Sequence, residues 1–213
     1  VYFIIFVKTK VMKKFWDERY AEEAYVYGEK PNAFFKEQLD ALNPGKILLP
    51  ADGEGRNGVY AAEEGWEVSA FDISHTGKEK ADQLAEKKGV QINYKVGSLE
   101  DQYYEAESFD VIALIFAHFP PHLKQDYHQQ FVDLLKPGGI LIFESFSKDH
   151  LAYSAKNPKV GGPKNRDILY DTDELENYFS TLEKHTLIQT EVELSEGAYH
   201  QGTGSAVRFV GVK

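Results

Sequence analysis

Leu48-Leu-Pro-Ala-Asp-Gly-Glu-Gly-Arg-Asn57 is the stretch whose reading decides the fold. It follows a short apolar run, Lys46–Leu49, and leads into a helix-like segment, Asn57–Glu64, ended by Gly65. Glycines at a strand-to-helix junction let the backbone pass close to a ligand, and the helix amino end adds a favourable dipole. A Gly-x-Gly turn alone is equally a tight connection. The acid that follows makes the difference: Asp72 closes the next apolar run, Glu67–Phe71, where a carboxylate accepts both ribose hydroxyls of a nucleoside cofactor. Its rival role is a helix N-cap, a job open to Ser74 as well. A literal Gly53-x-Gly55-x-x-Gly58 also fits the nicotinamide fingerprint, so the loop alone leaves NAD and S-adenosylmethionine both open.

The same alternation continues along the chain. Gly77–Lys88 reads as a helix closed by Gly89, and Val90–Val96 as a third strand. Phe109–Phe116 (FDVIALIF) is almost continuously apolar, as a central strand covered on both faces must be. Leu123–Leu135 reads as a helix, Lys136-Pro-Gly-Gly139 as a turn and Ile140–Phe146 as a fifth strand. Asp173–Phe179 is a short helix with Asp171 and Glu174 spaced as a capping box. Leu182–Glu193 and Ser205–Val212 read as two last strands, antiparallel, joined by a Gly-rich loop over 194–204. Repeated strand–helix units imply parallel strands with right-handed crossovers, hence a doubly wound α/β sheet.

Composition narrows the function. The 34 acidic residues outnumber the 24 Lys and Arg, and a net charge of −10 argues against a nucleic-acid binder. With 42% apolar and 14% aromatic residues the chain can build a core. With no cysteine there is no disulfide, no thiol nucleophile and no thiolate metal site, which is compatible with a cytoplasmic location. The apolar run of residues 1–7 is too short to span a bilayer and lacks the flanks of a signal peptide. Because Met12 is followed by KKFWDERY, residues 1–11 read as an N-terminal extension, with an added β-strand as the rival; residues 12–213 read as one domain with a helical lid over about 13–42.

Several pieces in order and spacing resemble the class I S-adenosylmethionine-dependent methyltransferases: LLPADGEGRN (48–57), GWEVSAFDIS (65–74), YKVGSL (94–99), SFDVIALIFAHFP (108–120) and LLKPGGILIFESF (134–146). RYAEEAYVYGEKPNAFF (19–35), the GEGRN loop and EGAYHQGTGSAVRFVGVK (196–213) look closest to the small tellurite-resistance-type (TehB-like) and thiol-methyltransferase-like proteins. The resemblance implies a Rossmann-like doubly wound seven-stranded sheet, order 3-2-1-4-5-7-6, with strand seven antiparallel. It also implies transfer of a methyl group from S-adenosylmethionine to a small acceptor, such as a thiol or a chalcogen oxyanion; the expected protein is a monomer or homodimer without metal, membrane or nucleic acid. The rivals are an NAD(P)-dependent oxidoreductase and a non-catalytic S-adenosylmethionine-binding protein.

By position, the resemblance implies that Ala51, Asp52, Gly53, Gly55 and Asn57 wrap the amino-acid part of the cofactor. Asp72 would hold the ribose, Ile73 would pack on the adenine, Ser98 and Leu99 would face its edge, and Phe116 and Ala117 would lie by the methionine portion. The chain departs from the family pattern at Leu49, Pro50, Asp52 and Ser98. Asp52 is therefore either a partner for the cofactor ammonium or a turn residue. His200 is the leading base or acceptor ligand, with Arg208 on the strand after it, and its rival role is an ordinary loop histidine. Glu196 has the spacing to orient His200, and His118 lies near the cofactor region or simply packs. Tyr25, Tyr27, Phe34 and Phe35 divide between lid and core, and Gly161-Gly162-Pro163 with Lys164 and Arg166 reads as a basic loop or a solvated one.

Overall fold

The computed structural model describes residues 2–213, with 2–10 described as helical backbone alone. The helices are α1 (Tyr2–Tyr20), α2 (Ala33–Leu39), α3 (Arg56–Glu63), α4 (His75–Lys88), α5 (Lys124–Leu134), α6 (His150–Lys156) and α7 (Thr172–Tyr178). The strands are β1 (Lys46–Pro50), β2 (Glu67–Asp72), β3 (Asn93–Val96), β4 (Phe109–Ile115), β5 (Leu135–Phe146), β6 (Glu183–Glu196) and β7 (His200–Val212). They form one seven-stranded sheet in the expected order, β3-β2-β1-β4-β5-β7-β6. The first five strands pair in parallel, and β7 is antiparallel to both β5 and β6.

Alternate residues of each inner strand enter opposite cores. Leu48, Ile112, Leu114, Leu141 and Phe143 face α5 and α7, meeting Tyr127, Phe131 and Leu175. Ile47, Leu49, Val111, Ala113 and Ile115 face α2, α3 and α4, meeting Phe34, Phe35, Leu39, Ala61 and Ala81. Two covered faces explain why β4 carries no polar alternation. Phe34 and Phe35 are thus core. The Asp171–Glu174 capping box forms as expected at the start of α7. The Pro-Gly-Gly turn sits inside β5: Phe109 pairs with Leu135 and Val111 with Ile140, so residues 136–139 leave the β4 ladder.

Val1 and the side chains of 2–10 lie outside the described residues, and so does the reading of 1–11 as an extension; a β-strand does not form there, because the backbone from Tyr2 is helical. The loop expected over 194–204 is corrected. The β6–β7 ladder continues to Glu196↔His200, leaving only 197–199 as the turn. Gly202 and Gly204 are strand residues whose missing side chains make room for neighbours: a Cβ would lie 2.7 Å from Asn157 Nδ2 and 3.1 Å from the His150 ring. Since β5 stops pairing at Phe146↔Ala206, the outer part of this hairpin projects past the sheet. It reaches the carboxyl ends of the strands, where Glu196 meets Arg56 at the start of α3. Among the described residues no helix is long and apolar enough to cross a membrane.

Candidate active site

The sheet changes direction of winding between β1 and β4, and the crevice outside their carboxyl ends is where such sheets bind ligands. Both edges of that crevice are backbone-strained. Ala51 ends β1 with φ 55° and Phe116 ends β4 with φ 49°, left-handed values that cost side-chain-bearing residues about 1–3 kcal/mol and cluster at functional sites. Gly53 (φ 56°) turns the loop under Tyr20, whose hydroxyl would lie 2.6 Å from a Cβ there. Gly55 is required from behind: its Cβ would meet Ala81 Cβ at 2.5 Å, so α4 packs directly on the loop.

Asp72 is buried at the end of β2 and accepts from Ser74 N at 2.9 Å and Gly53 N at 3.1 Å. Ser74 takes the N-cap role, its Oγ accepting from Gly77 N, so Asp72 is not needed there. Burial pushes the Asp72 carboxyl up to about 6 despite those two N–H groups. Asp52 Oδ2 accepts from Gly58 N at 3.0 Å, inside the first turn of α3, while its Oδ1 is buried with no partner. Burial pushes its carboxyl up to about 8. Asp52 is therefore a turn residue that still offers one orphaned oxygen. A cofactor ammonium would satisfy that oxygen, so the loop chemistry fits an amino-acid-bearing nucleoside. Ile73 is half-buried beyond Asp72. The Ser98 hydroxyl is engaged with Asp101 in a capping box, and Leu99 and Ala117 are core side chains.

The remaining polar residues of the loop hold the segment between α1 and α2. Glu54 accepts from Val26 N at 2.8 Å and pairs with Lys80 at 2.6 Å. Arg56 reaches the Tyr27 carbonyl, and Asn57 Oδ1 accepts from Asn32 N at 2.9 Å. The Asn57 side chain is thus engaged with the segment between α1 and α2. Asp17 of α1 accepts from Ser74 Oγ, His75 N and Thr76 N at the amino end of α4, a position that favours a carboxylate. Asp17, Glu54 and Arg56 were hidden in the sequence because each reads as surface charge.

His200 opens β7 and is buried, with Nδ1 2.9 Å from Glu196 Oε2. Its ring lies 4.6 Å from Tyr27, 5.0 Å from Phe116 and 5.2 Å from Phe146. Burial lowers its pKa, with Glu196 opposing. Arg208 does not touch His200: it pairs with buried Glu144 of β5, directly across the ladder, and its guanidinium lies 4.5 Å from the Phe34 ring centre. Asn32 joins the two halves, its Nδ2 donating to Glu144 Oε1 (2.8 Å) and Glu196 Oε1 (3.1 Å). His118 stacks towards Phe146, and its Nε2 is buried without a partner. Burial pushes it down to about 3. His150 is structural: Nδ1 accepts from Ser205 N, Nε2 meets the Gly161 carbonyl, and the ring stacks 3.8 Å from Phe146. It anchors the Gly161–Gly162 strap.

Comparison with known proteins bears on the fold. Residues 47–139 match the family described as "Methyltransferase domain". No curated protein matches the chain in sequence. A structure from work on converting a disulfide bond into a thioacetal group during echinomycin biosynthesis superposes with TM-score 0.74 at 16% identity, over 97% of this chain and 92% of that one. TehB from Haemophilus influenzae gives 0.68 at 16%, covering 94% of this chain and 66% of that one. Magnesium protoporphyrin IX methyltransferase (ChlM) from Synechocystis PCC 6803, solved with SAH, gives 0.68 at 14%, over 96% and 99%. At such identities the likeness is one of fold. The chain thus carries a methyltransferase-domain signature across 47–139, set in the complete seven-stranded sheet of the class I methyltransferase fold.

Proposed function

We propose that this protein transfers a methyl group from S-adenosylmethionine to a small-molecule acceptor, working in the cytoplasm as a monomer or homodimer. The observation that carries the reading is the pairing of Asp72 with a glycine loop whose Asp52 Oδ1 is buried and unsatisfied. When bound, the cofactor supplies an activated methyl on a sulfonium. The chain's own task is to hold, align and exclude water. Asp72 would accept the ribose hydroxyls, Asp52 the ammonium, Ala51, Gly53 and Gly55 would present backbone, and Ile73, Ser98 and Leu99 would border the adenine. Phe116 and Ala117 would lie beside the reacting end, with His200 and Arg208 on the acceptor side. Thiols and chalcogen oxyanions such as tellurite or selenite are the acceptors that the resemblance to TehB-like proteins brings forward.

Calorimetry with S-adenosylhomocysteine and with NAD tests the assignment: the first should bind and the second should not. Asp72→Ala is expected to weaken S-adenosylhomocysteine binding by about 1–3 kcal/mol, the scale of a hydrogen bond to a charged group. Unchanged affinity removes Asp72 from the ribose. The pH dependence follows from the raised carboxyl. Ribose hydroxyls donate to the carboxylate, which is present above its pKa of about 6 and lost as pH falls through it. Affinity should therefore drop about tenfold between pH 7.5 and 5, and Asp72→Asn should flatten that slope.

A further inference from the structure

Around His200 the polar groups are arranged in one direction. Glu196 receives Arg56 at 2.9 Å and His200 Nδ1 at 2.9 Å on one oxygen, and Asn32 on the other. Although burial alone would raise its pKa, the bonds from His200 and Arg56 hold Glu196 down to about 2, so it stays a carboxylate. A carboxylate only accepts, so the proton of neutral His200 sits on Nδ1 and Nε2 keeps its lone pair. No described residue hydrogen-bonds Nε2, and the ring stands among Tyr27, Phe116 and Phe146. Nearby, His118 Nε2 is a buried polar atom with no partner. Arg56 is paired with Glu196, Arg208 with Glu144, and Arg19 lies over the Tyr199 ring at 4.2 Å with a bond to the Tyr27 hydroxyl. An oxyanion would find aromatic faces and neutral imidazoles, and a chalcogen lone pair needs no base.

Resting on the methyltransferase reading, we propose that the acceptor is an uncharged protic nucleophile, a thiol or a phenol, that its proton passes to Nε2 of His200, and that Glu196 is the positioning residue that keeps this nitrogen free. The acceptor sulfur or oxygen bonds to the methyl as the sulfonium S–CH3 bond breaks. The electron pair of that bond returns to sulfur, giving S-adenosylhomocysteine. The acceptor proton becomes the second N–H of His200, and the resulting imidazolium faces the Glu196 carboxylate. His118 Nε2 stands near the aromatic cluster as a further polar contact for a flat acceptor.

The test has three arms. Formation of S-adenosylhomocysteine is followed with small thiols and phenols beside selenite and tellurite. The pH profile of kcat is measured for the wild type and Glu196→Gln. The His200 tautomer is read from its ring-nitrogen NMR shifts with S-adenosylhomocysteine bound. We expect turnover with a thiol or phenol, a proton on Nδ1, and in Glu196→Gln a kcat lower by about tenfold or more with KM little changed, because the imidazolium loses its carboxylate. The acidic limb, where His200 takes up its proton, should also move to lower pH, because the carboxylate that raises the His200 pKa is gone. Turnover confined to selenite or tellurite, a wild-type proton on Nε2, or an unmoved profile in Glu196→Gln overturns the inference. Failure of S-adenosylhomocysteine to bind overturns the methyltransferase reading instead, and the tautomer of the free protein then decides the Glu196–His200 pairing.

Discussion

Lys80→Ala is expected to lose about 3–5 kcal/mol of folding stability, the cost of stranding a buried charge. Lys80 and Glu54 form an ion pair at 2.6 Å with side chains only 10% and 3% exposed. The three ammonium protons have three acceptors: Glu54, and the carbonyls of Glu22 at 2.8 Å and Ala24 at 2.7 Å. The Tyr25 ring covers the group at 4.9 Å. Removing Lys80 leaves a buried carboxylate at the glycine loop and frees the carbonyls of Glu22 and Ala24 at once. Destabilisation should accompany early proteolysis within residues 20–30 and weaker S-adenosylhomocysteine binding. Adding Glu54→Gln to Lys80→Ala should recover about 1–3 kcal/mol, since Gln still accepts from Val26 N without a charge. Urea denaturation of the two variants checks both statements; a Lys80→Ala loss below about 1 kcal/mol would show that water replaces the ammonium and that the segment after α1 is not held there.

That lock explains what the sequence made legible. The sheet could be read because its determinants are local: apolar runs of strand length, glycines at their carboxyl ends, and an acid that ends β2. Parallel strands covered on both faces leave that imprint directly. The long β6–β7 hairpin could not be read that way. Gly202 and Gly204 carry the composition of a loop, yet they are glycines because Asn157 and His150 press against the strand. Their requirement is tertiary. The same holds for the lid. Glu54, Arg56 and Asn57 stand in the cofactor loop by sequence, but their side chains turn away to bind residues 26–32 and, from Arg56, Glu196. Glu144 carries a signal of its own in the sequence. A lone carboxylate inside the apolar run ILIFESF is expensive unless paired, so its presence calls for a cation on a neighbouring strand. That cation is Arg208.

Arg208→Ala should therefore act first on stability. Glu144 is buried, and burial raises its carboxyl pKa against the opposing charge of Arg208 and the bond from Asn32. Without Arg208 the carboxyl rises further while its unfolded value is unchanged. The folded protein then holds a proton that the unfolded chain has released, so stability falls as pH climbs above the normal carboxylate range. The expected loss is about 3–5 kcal/mol at pH 8, and clearly less at pH 5, where Glu144 can stay neutral. Glu144→Gln in the Arg208→Ala background should remove most of the pH slope, because no buried charge remains. Activity separates the two roles of Arg208. If it only neutralises Glu144, the double variant folds and regains turnover, with Asn32 still bridging to Glu196 and His200. If the guanidinium also meets the acceptor, the double variant folds and binds S-adenosylhomocysteine but turns over no faster than Arg208→Ala. Melting curves at the two pH values and turnover of both variants with one thiol acceptor distinguish these outcomes.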